Sequence, residues 1–363
     1  MEQLSDSDDT RYMFQALHSP DSCLDIGHAG TAMRFLTAFF AQKRGEWEIT
    51  GSERMKQRPI KILVDSLRAL GAQIEYVDHI GFPPLRIVGS ELIGGVLNIS
   101  ASVSSQYISA LLLIAPYMKA GLTLQLQGKV VSKAYIDMTI RIMEIFGAKV
   151  NRGENYIHIT PTQYQSSVLK VESDWSAASY FFALLAVARN GELRLTGLQK
   201  DSIQGDSCQM ELWEKLGVAS HFANGELILT PKSIELSFLE VTLIDMPDLI
   251  PTFAVSCCLL EIPFRISGIE TLHIKESNRT LALITELKKL GYLLEVEDES
   301  RLCWFGKKQA PEPQPSIQTY QDHRIAMAFS VASLKFTNIH IEEKEVVTKS
   351  YPRFWEELQN VIK

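Results

Sequence analysis

Apolar positions along the chain fall into two alternating kinds of run. Short runs rich in β-branched residues predict strands, and longer runs with apolar residues three and four apart predict helices. The alternation predicts an α/β protein. The runs also recur in phase. One element is a polar cluster, an apolar helix, a turn and a strand. It reads HAGTAMRFLTAFF from His28, SVSSQYISALLLIA from Ser102, DWSAASYFFALLAVA from Asp174, DMPDLIPTFAVSCCLL from Asp245 and YQDHRIAMAFSVASL from Tyr320. The starts lie 74, 72, 71 and 75 residues apart.

A second element lies between these: a polar start, an amphipathic helix, a glycine stop and a strand. Its copies begin at Lys56, Ser132, Ser202, Lys275 and Thr348, spaced 76, 70, 73 and 73 residues. Gly71, Gly147, Gly217 and Gly291 stand where a helix C-terminus takes positive φ. One more copy, SDSDDTRYMFQAL from Ser5, opens the chain with no first element before it. Such a period marks a repeated architecture. A helix that starts just after a strand offers free N–H groups to anions, and the polar clusters sit at those starts.

Composition narrows the chemistry. The 363 residues carry 36 basic and 43 acidic side chains, a net charge of -7, which argues against a nucleic-acid surface. Five cysteines without a CxxC pair suggest neither a disulfide framework nor a zinc cage, and point to a reducing cytoplasm. The acidic N-terminus is no signal peptide, and the longest apolar stretch, Leu249 to Leu260, is too short and broken to span a bilayer.

An acidic protein nevertheless gathers Arg34, Arg58, Lys133, Lys275, Arg279, Arg324 and Lys349 at or near repeat helix starts, which suits a polyanionic ligand. Lys275 and Arg279 stand at i and i+4 at a positive helix end, a placement that a bound anion relieves. A solvated charged turn is the plainer reading. Pro59, after the cations Arg54, Lys56 and Arg58, marks a helix first turn. Taken singly, Ser104-Ser105-Gln106, Asp248, Asp322 and Ser132 read as helix N-caps. Asp248 and Glu276 suit proton transfer if their surroundings tune them.

The ordered set AGTAMR (Ala29 to Arg34), ERMKQRP (Glu53 to Pro59), SVSSQ (Ser102 to Gln106) and VSKAYIDMT (Val131 to Thr139) resembles the enolpyruvyl transferases, most closely the EPSP synthase family. SIQGD (Ser202 to Asp206), MPDLIPT (Met246 to Thr252), KESNR (Lys275 to Arg279), DHRIAMAF (Asp322 to Phe329) and KSYPRFW (Lys349 to Trp355) continue it to the C-terminus. The resemblance implies a two-domain fold of βαβαββ units, three per domain, with ligands in the cleft between the domains. The first unit is incomplete. The domains are expected at 1–165 and 166–363.

The implied reaction moves the enolpyruvyl group of phosphoenolpyruvate to the 5-hydroxyl of shikimate 3-phosphate and releases phosphate. It serves chorismate and aromatic amino-acid biosynthesis and needs no metal or organic cofactor. By the same resemblance, Ser104, Ser105, Gln106, Ser132, Tyr135, Asp248 and Lys275 hold shikimate 3-phosphate. Gly30, Arg58, Gln106, Arg279, Arg324 and Lys349 hold phosphoenolpyruvate, and Asp248, Glu276 and Lys349 act as acid and base. No counterpart of the reactive cysteine loop of the UDP-N-acetylglucosamine enzymes is present. His28, Phe35 and Thr271 replace residues common in the family, and nothing in Met1 to His28 matches its PGSKSxxxR segment. A catalytically impaired, shikimate 3-phosphate-binding remnant is therefore the alternative. The expectation is a cytoplasmic chain with no nucleic-acid or membrane partner. The family is usually monomeric, and this chain is expected to have lowered stability, with self-association through the edge left by the missing half-unit.

Overall fold

The computed structural model describes residues 4–100, 104–128 and 130–362. Two compact units, Met1–Lys170 and Val171–Lys363, each have their own apolar core. Ser102 and Val103, in the predicted SVSSQ start, lie outside the described residues.

The first unit opens with α1 (Asp8–His18), capped by the Ser7 hydroxyl, which accepts from the Thr10 N–H. Two repeats follow. The first is β1 (Cys23–Asp25), α2 (Gly30–Gln42), β2 (Gly45–Thr50), the single turn α3 (Glu53–Lys56), α4 (Lys61–Ala69), β3 (Gln73–Tyr76) and β4 (Leu85–Gly89). The second is β5 (Gly95–Ser100), α5 (Ser105–Ile114), β6 (Leu122–Gln127), α6 (Lys133–Ile145), β7 (Lys149–Arg152) and β8 (Tyr156–Thr160).

The second unit holds three repeats. They begin with α7 (Trp175–Ala188), β9 (Leu193–Thr196), α8 (Gln209–Lys215), β10 (Val218–Ala223) and β11 (Glu226–Pro231). Next come β12 (Leu239–Thr242), α9 (Ile250–Leu260), β13 (Phe264–Ser267), α10 (Arg279–Lys289), β14 (Glu295–Glu297) and β15 (Arg301–Trp304). Last are β16 (Ser316–Ile317), α11 (His323–Ser330), β17 (His340–Ile341) and α12 (Phe354–Ile362).

The sheets share one topology. In β1-β2-β4-β3, β5-β6-β8-β7 and β12-β13-β15-β14 the first two strands are parallel and the hairpin adds antiparallel. A parallel pair requires a crossover, which the first helix of each repeat supplies. Sheet β10-β11-β9 is the same arrangement without its first strand, and β16-β17 is the parallel pair alone. The βαβαββ unit that the resemblance implies is therefore the unit of the fold. Gly71, Gly147, Gly217 and Gly291 take φ of 104°, 87°, 90° and 93° just past their helices, as the glycine stops require.

The helices differ by place. α7 and α9 are apolar all round and almost wholly buried, as central helices must be. α10 and α12 are amphipathic and flank them. Phe253 of α9 is fully buried and stacks on Trp213, with ring centroids 4.5 Å apart.

Two local readings need correction. Pro59 does not open a helix. α3 ends before it and α4 starts after it, because the Pro59 carbonyl accepts from Arg34 Nη2 (3.1 Å) and the Tyr107 hydroxyl rather than from a helical N–H. Ser132 does not cap α6 with its side chain. Its φ of 55° is left-handed, whereas a capping serine needs extended backbone. Among the described residues no helix is long and apolar enough to cross a membrane.

Four of the five tryptophans (Trp175, Trp213, Trp304, Trp355) lie in the second unit, so indole fluorescence reports mainly on it. Phe253→Ala is expected to lower the stability of that unit by about 3–5 kcal/mol, read as an earlier urea midpoint by fluorescence.

Candidate active site

In the first unit the starts of α2, α5 and α6 lie side by side. Gln106 Nε2, in the first turn of α5, donates to Thr31 Oγ1 of α2 at 3.1 Å, and Ser109 and Thr139 join α5 to α6 at 2.7 Å. Gly30 is the first residue of α2, and no side chain caps that helix. The guanidinium of Arg58 packs directly on it: a Cβ at Gly30 would lie 2.5 Å from Arg58 Nη1. Arg58 is only 7% exposed. Arg34, grouped above with the ligand-binding cations, is instead a strut. It is buried in α2 and donates to the carbonyls of Gly30 and Pro59, which fixes the loop that carries Arg58. Ser104, Ser105 and Gln106 stand at the start of α5. Ser104 occupies the N-cap position without a side-chain capping bond. Ser132 and Tyr135 stand at the start of α6, where Lys133 is exposed.

In the second unit, residues far apart in sequence converge before α9, α10 and α11. Arg279, the first residue of α10, is 1% exposed and ringed by carboxylates. Its Nε donates to Asp322 Oδ2 (2.8 Å), its Nη1 to Asp248 Oδ1 (2.7 Å), and its Nη2 to Glu276 Oε2 (2.9 Å) and Asp322 Oδ1 (3.3 Å). That engages four of the five guanidinium N–H groups. Arg324 Nη2 lies 2.9 Å from Asp248 Oδ2, Lys275 Nζ 3.6 Å from Asp248 Oδ1, and Lys349 Nζ 3.6 Å from Glu276 Oε1. Lys349 is 5% exposed.

The structure thus gathers every candidate of this unit: Asp248, Lys275, Glu276, Arg279, Arg324 and Lys349. It changes the reason for two of them. Lys275 lies outside α10, after a 3₁₀ turn, so no i,i+4 repulsion within a helix operates, and carboxylates offset Arg279. Asp248 is no N-cap; its carboxylate points to three cations.

Two residues went unrecognised as anchors. Asp322 does cap α11, accepting from the Arg324 N–H (3.0 Å), but it also accepts from Ser277 Oγ (3.0 Å) and Arg279. Its place in DHR was the available signal. Asp206 of SIQGD is buried against the Ser176 hydroxyl at the start of α7.

Electrostatics separate these groups. Burial works to raise the Asp248 pKa, but Arg324, Lys275 and Arg279 outweigh it and hold the carboxyl well below the usual range. Burial also opposes ionisation of Asp322, and Arg279 overrides it. Burial, Lys349 and Arg324 lower His323 to about 3, so its imidazole is neutral near pH 7. Asp206 goes the other way. Burial pushes it up to about 7, with the Ser176 hydrogen bond opposing and the Asp248 charge adding. Four cations (Lys275, Arg279, Arg324, Lys349) against three carboxylates (Asp248, Glu276, Asp322) give a formal net charge of +1. The cluster can hold an anion and contains carboxylates able to accept a proton.

The pattern of one family, EPSP synthase (3-phosphoshikimate 1-carboxyvinyltransferase), matches residues 5–358. The chain belongs to the EPSP synthase family. Among curated relatives, the 3-phosphoshikimate 1-carboxyvinyltransferase of Bacteroides fragilis is 47% identical over 357 residues, covering 98% of this chain and 87% of that protein. The enzyme of that name from Photobacterium damsela subsp. piscicida is 37% identical, covering 99% and 84%. A solved EPSP synthase from Acinetobacter baumannii shares the fold, with a TM-score of 0.71 at 24% identity, covering 94% of this chain and 79% of that one. The enolpyruvyl transferase NikO from Streptomyces tendae has a TM-score of 0.64 at 16% identity, covering 92% and 76%.

The EPSP synthase cluster of this chain has a measurable pH signature. Unfolded, Asp206 ionises near its ordinary value of 3.8, whereas folded it keeps its proton to about 7. Between those values the unfolded state releases a proton that the fold retains, so this group's contribution to stability falls as pH rises. The full fall is about 4 kcal/mol at most. Asp206→Asn removes that slope. Urea midpoints at pH 5 and pH 8 are expected to show the variant gaining on wild type with rising pH, and a constant gap refutes the assignment.

Proposed function

We propose that this chain transfers the enolpyruvyl group of phosphoenolpyruvate to the 5-hydroxyl of shikimate 3-phosphate, releasing phosphate. The observation that carries the reading is the gathering of Lys275, Arg279, Arg324 and Lys349 around three carboxylates in an otherwise acidic chain. Membership of a family whose curated members carry that activity supports it.

In this reading Arg58, packed on Gly30, together with Arg324 and Lys349 binds the phosphate and carboxylate of phosphoenolpyruvate. Arginine suits both because its fork donates two parallel hydrogen bonds. Gln106 adds a neutral donor. Arg279 contributes its fifth N–H and otherwise keeps the carboxylates in place. Ser104, Ser105, Gln106, Ser132, Tyr135, Asp248 and Lys275 hold shikimate 3-phosphate.

The reaction protonates the enol C3, adds the hydroxyl oxygen at C2, then eliminates phosphate from the tetrahedral intermediate while C3 returns a proton. Lys349 and Glu276, 3.6 Å apart, are the pair for that proton traffic, and Asp248 takes the hydroxyl proton. Asp248 is ionised at neutral pH, so it accepts rather than donates. Anions bound to Arg324 and Lys275 weaken the hold of these cations on it and raise its basicity once both substrates are present. Holding two anions together in register supplies much of the rate.

Purified protein given both substrates is expected to release phosphate. Binding of shikimate 3-phosphate by calorimetry without turnover would instead identify a disabled remnant. Gly30→Ala gives a sharper test, since the new Cβ must displace the Arg58 guanidinium. The KM for phosphoenolpyruvate is expected to rise about ten-fold with the KM for shikimate 3-phosphate little changed.

A further inference from the structure

The segment that carries Asp322 and Arg324 is bolted to α10 at a second point, outside the cation cluster. Ser316 and Ile317 form β16, and the contacts of residues 316 to 319 alternate as a strand's must before the turn at Tyr320. Ile317 and Thr319 are buried on one side, 0% and 1% exposed. The Ser316 carbonyl, the Gln318 N–H and the Tyr320 hydroxyl meet α10 on the other. Lys289 Nζ donates to the Ser316 carbonyl at 2.7 Å. The Gln318 N–H donates to Glu286 Oε2 at 3.1 Å and the Tyr320 hydroxyl to Glu286 Oε1 at 2.7 Å.

Glu286 is fully buried and paired with Lys289 at 2.7 Å. It lies seven residues after Arg279, two helical turns along the same face of α10. One stripe of α10 therefore grips one segment twice: Arg279 holds Asp322, and Glu286 holds Gln318 and Tyr320.

Between the two grips the backbone is strained. Tyr320 and Gln321 take φ of 54° and 55°, a left-handed conformation that residues other than glycine keep only when their surroundings fix it. Asp322 follows at once, and its backbone and carboxylate set the first turn of α11, where Arg324 sits.

We propose that Glu286 and Tyr320 are positioning residues for Arg324 and Asp322: their hydrogen bond holds the left-handed turn that aims the two arginines, Arg324 and Arg279, at their anionic ligand. The proposal rests on the assignment of those arginines to phosphoenolpyruvate. The bond persists through the working range because burial and Glu286 raise the Tyr320 phenol to about 12. Tyr320 itself is 38% exposed, so removing its hydroxyl opens no cavity.

The test compares Tyr320→Phe and Arg324→Lys in the full chain, with both substrates titrated and thermal melting recorded. Tyr320→Phe is expected to raise the KM for phosphoenolpyruvate about five-fold, with the KM for shikimate 3-phosphate within two-fold, alongside a modestly lowered melt because buried Glu286 loses a donor. A purely structural bond predicts the lowered melt with both KM values unchanged or raised together, and either pattern overturns the proposal. Arg324→Lys separates the two levels of the argument. If it leaves the KM for phosphoenolpyruvate unchanged, the ligand assignment fails and the proposal with it. If it raises that KM while Tyr320→Phe does not, the assignment stands and the positioning role alone is refuted. Glu286→Gln provides a second variant, expected to act in the same direction as Tyr320→Phe.

Discussion

The second unit is organised around one buried guanidinium. Arg279 is out of water, and an unpaired charge there would cost several kcal/mol. Asp248, Glu276 and Asp322 offset that cost, and they stand just before α9, α10 and α11 respectively. The pairing therefore fixes three helix starts to one point. Apolar residues in place of the set would satisfy burial, but they would erase the charges proposed to bind and react. The ring of carboxylates does more than neutralise Arg279. Asp248 reaches on to Arg324 and Lys275, and Glu276 to Lys349. The less buried cations are set in place by acids that the most buried one holds.

Repetition makes this convergence possible. Each βαβαββ repeat starts its first helix at the same end of its sheet, so within each compact unit polar clusters some 73 residues apart in sequence become neighbours in space. The two units use different anchors for the same purpose. In the Met1–Lys170 unit carbonyls replace carboxylates: Arg34 and Tyr107 converge on the Pro59 carbonyl, and the adjacent Arg58 lies flat against Gly30. The lack of a side chain at Gly30 is what lets a guanidinium reach the open start of α2.

The period of apolar runs was enough to read the repeat, its helices and its glycine stops, because those depend on spacing within a segment. The same was true of which cations lie near helix starts. Partnerships across the chain were not legible. Asp322 and Arg279 are 43 residues apart, and nothing local distinguishes an aspartate that caps a helix from one that caps it and also clamps an arginine. Asp248 was misread for that reason. Lys275 and Arg279 were misread for another: the spacing rule assumes both lie on one helix, and the chain leaves the helix at Asn278. Ser132 failed as a cap because the sequence does not display a left-handed backbone at a serine.

The charge of the cluster depends on a group that the motifs do not mark as chemical. Asp206 is buried and Asp248 half-buried, and both interact with Arg324, yet their protonation diverges. Asp248 has three cations and ionises readily. Asp206 has a hydroxyl donor and the charge of Asp248 itself, which disfavours a second anion nearby. Ionising Asp248 thus helps keep Asp206 protonated, and a protonated Asp206 leaves the net charge at +1. Were both ionised, four cations would face four carboxylates and the attraction for an anion would weaken. Burial of Asp206 beneath the start of α7, which favours its protonated form, is therefore part of how this acidic chain keeps a positive site.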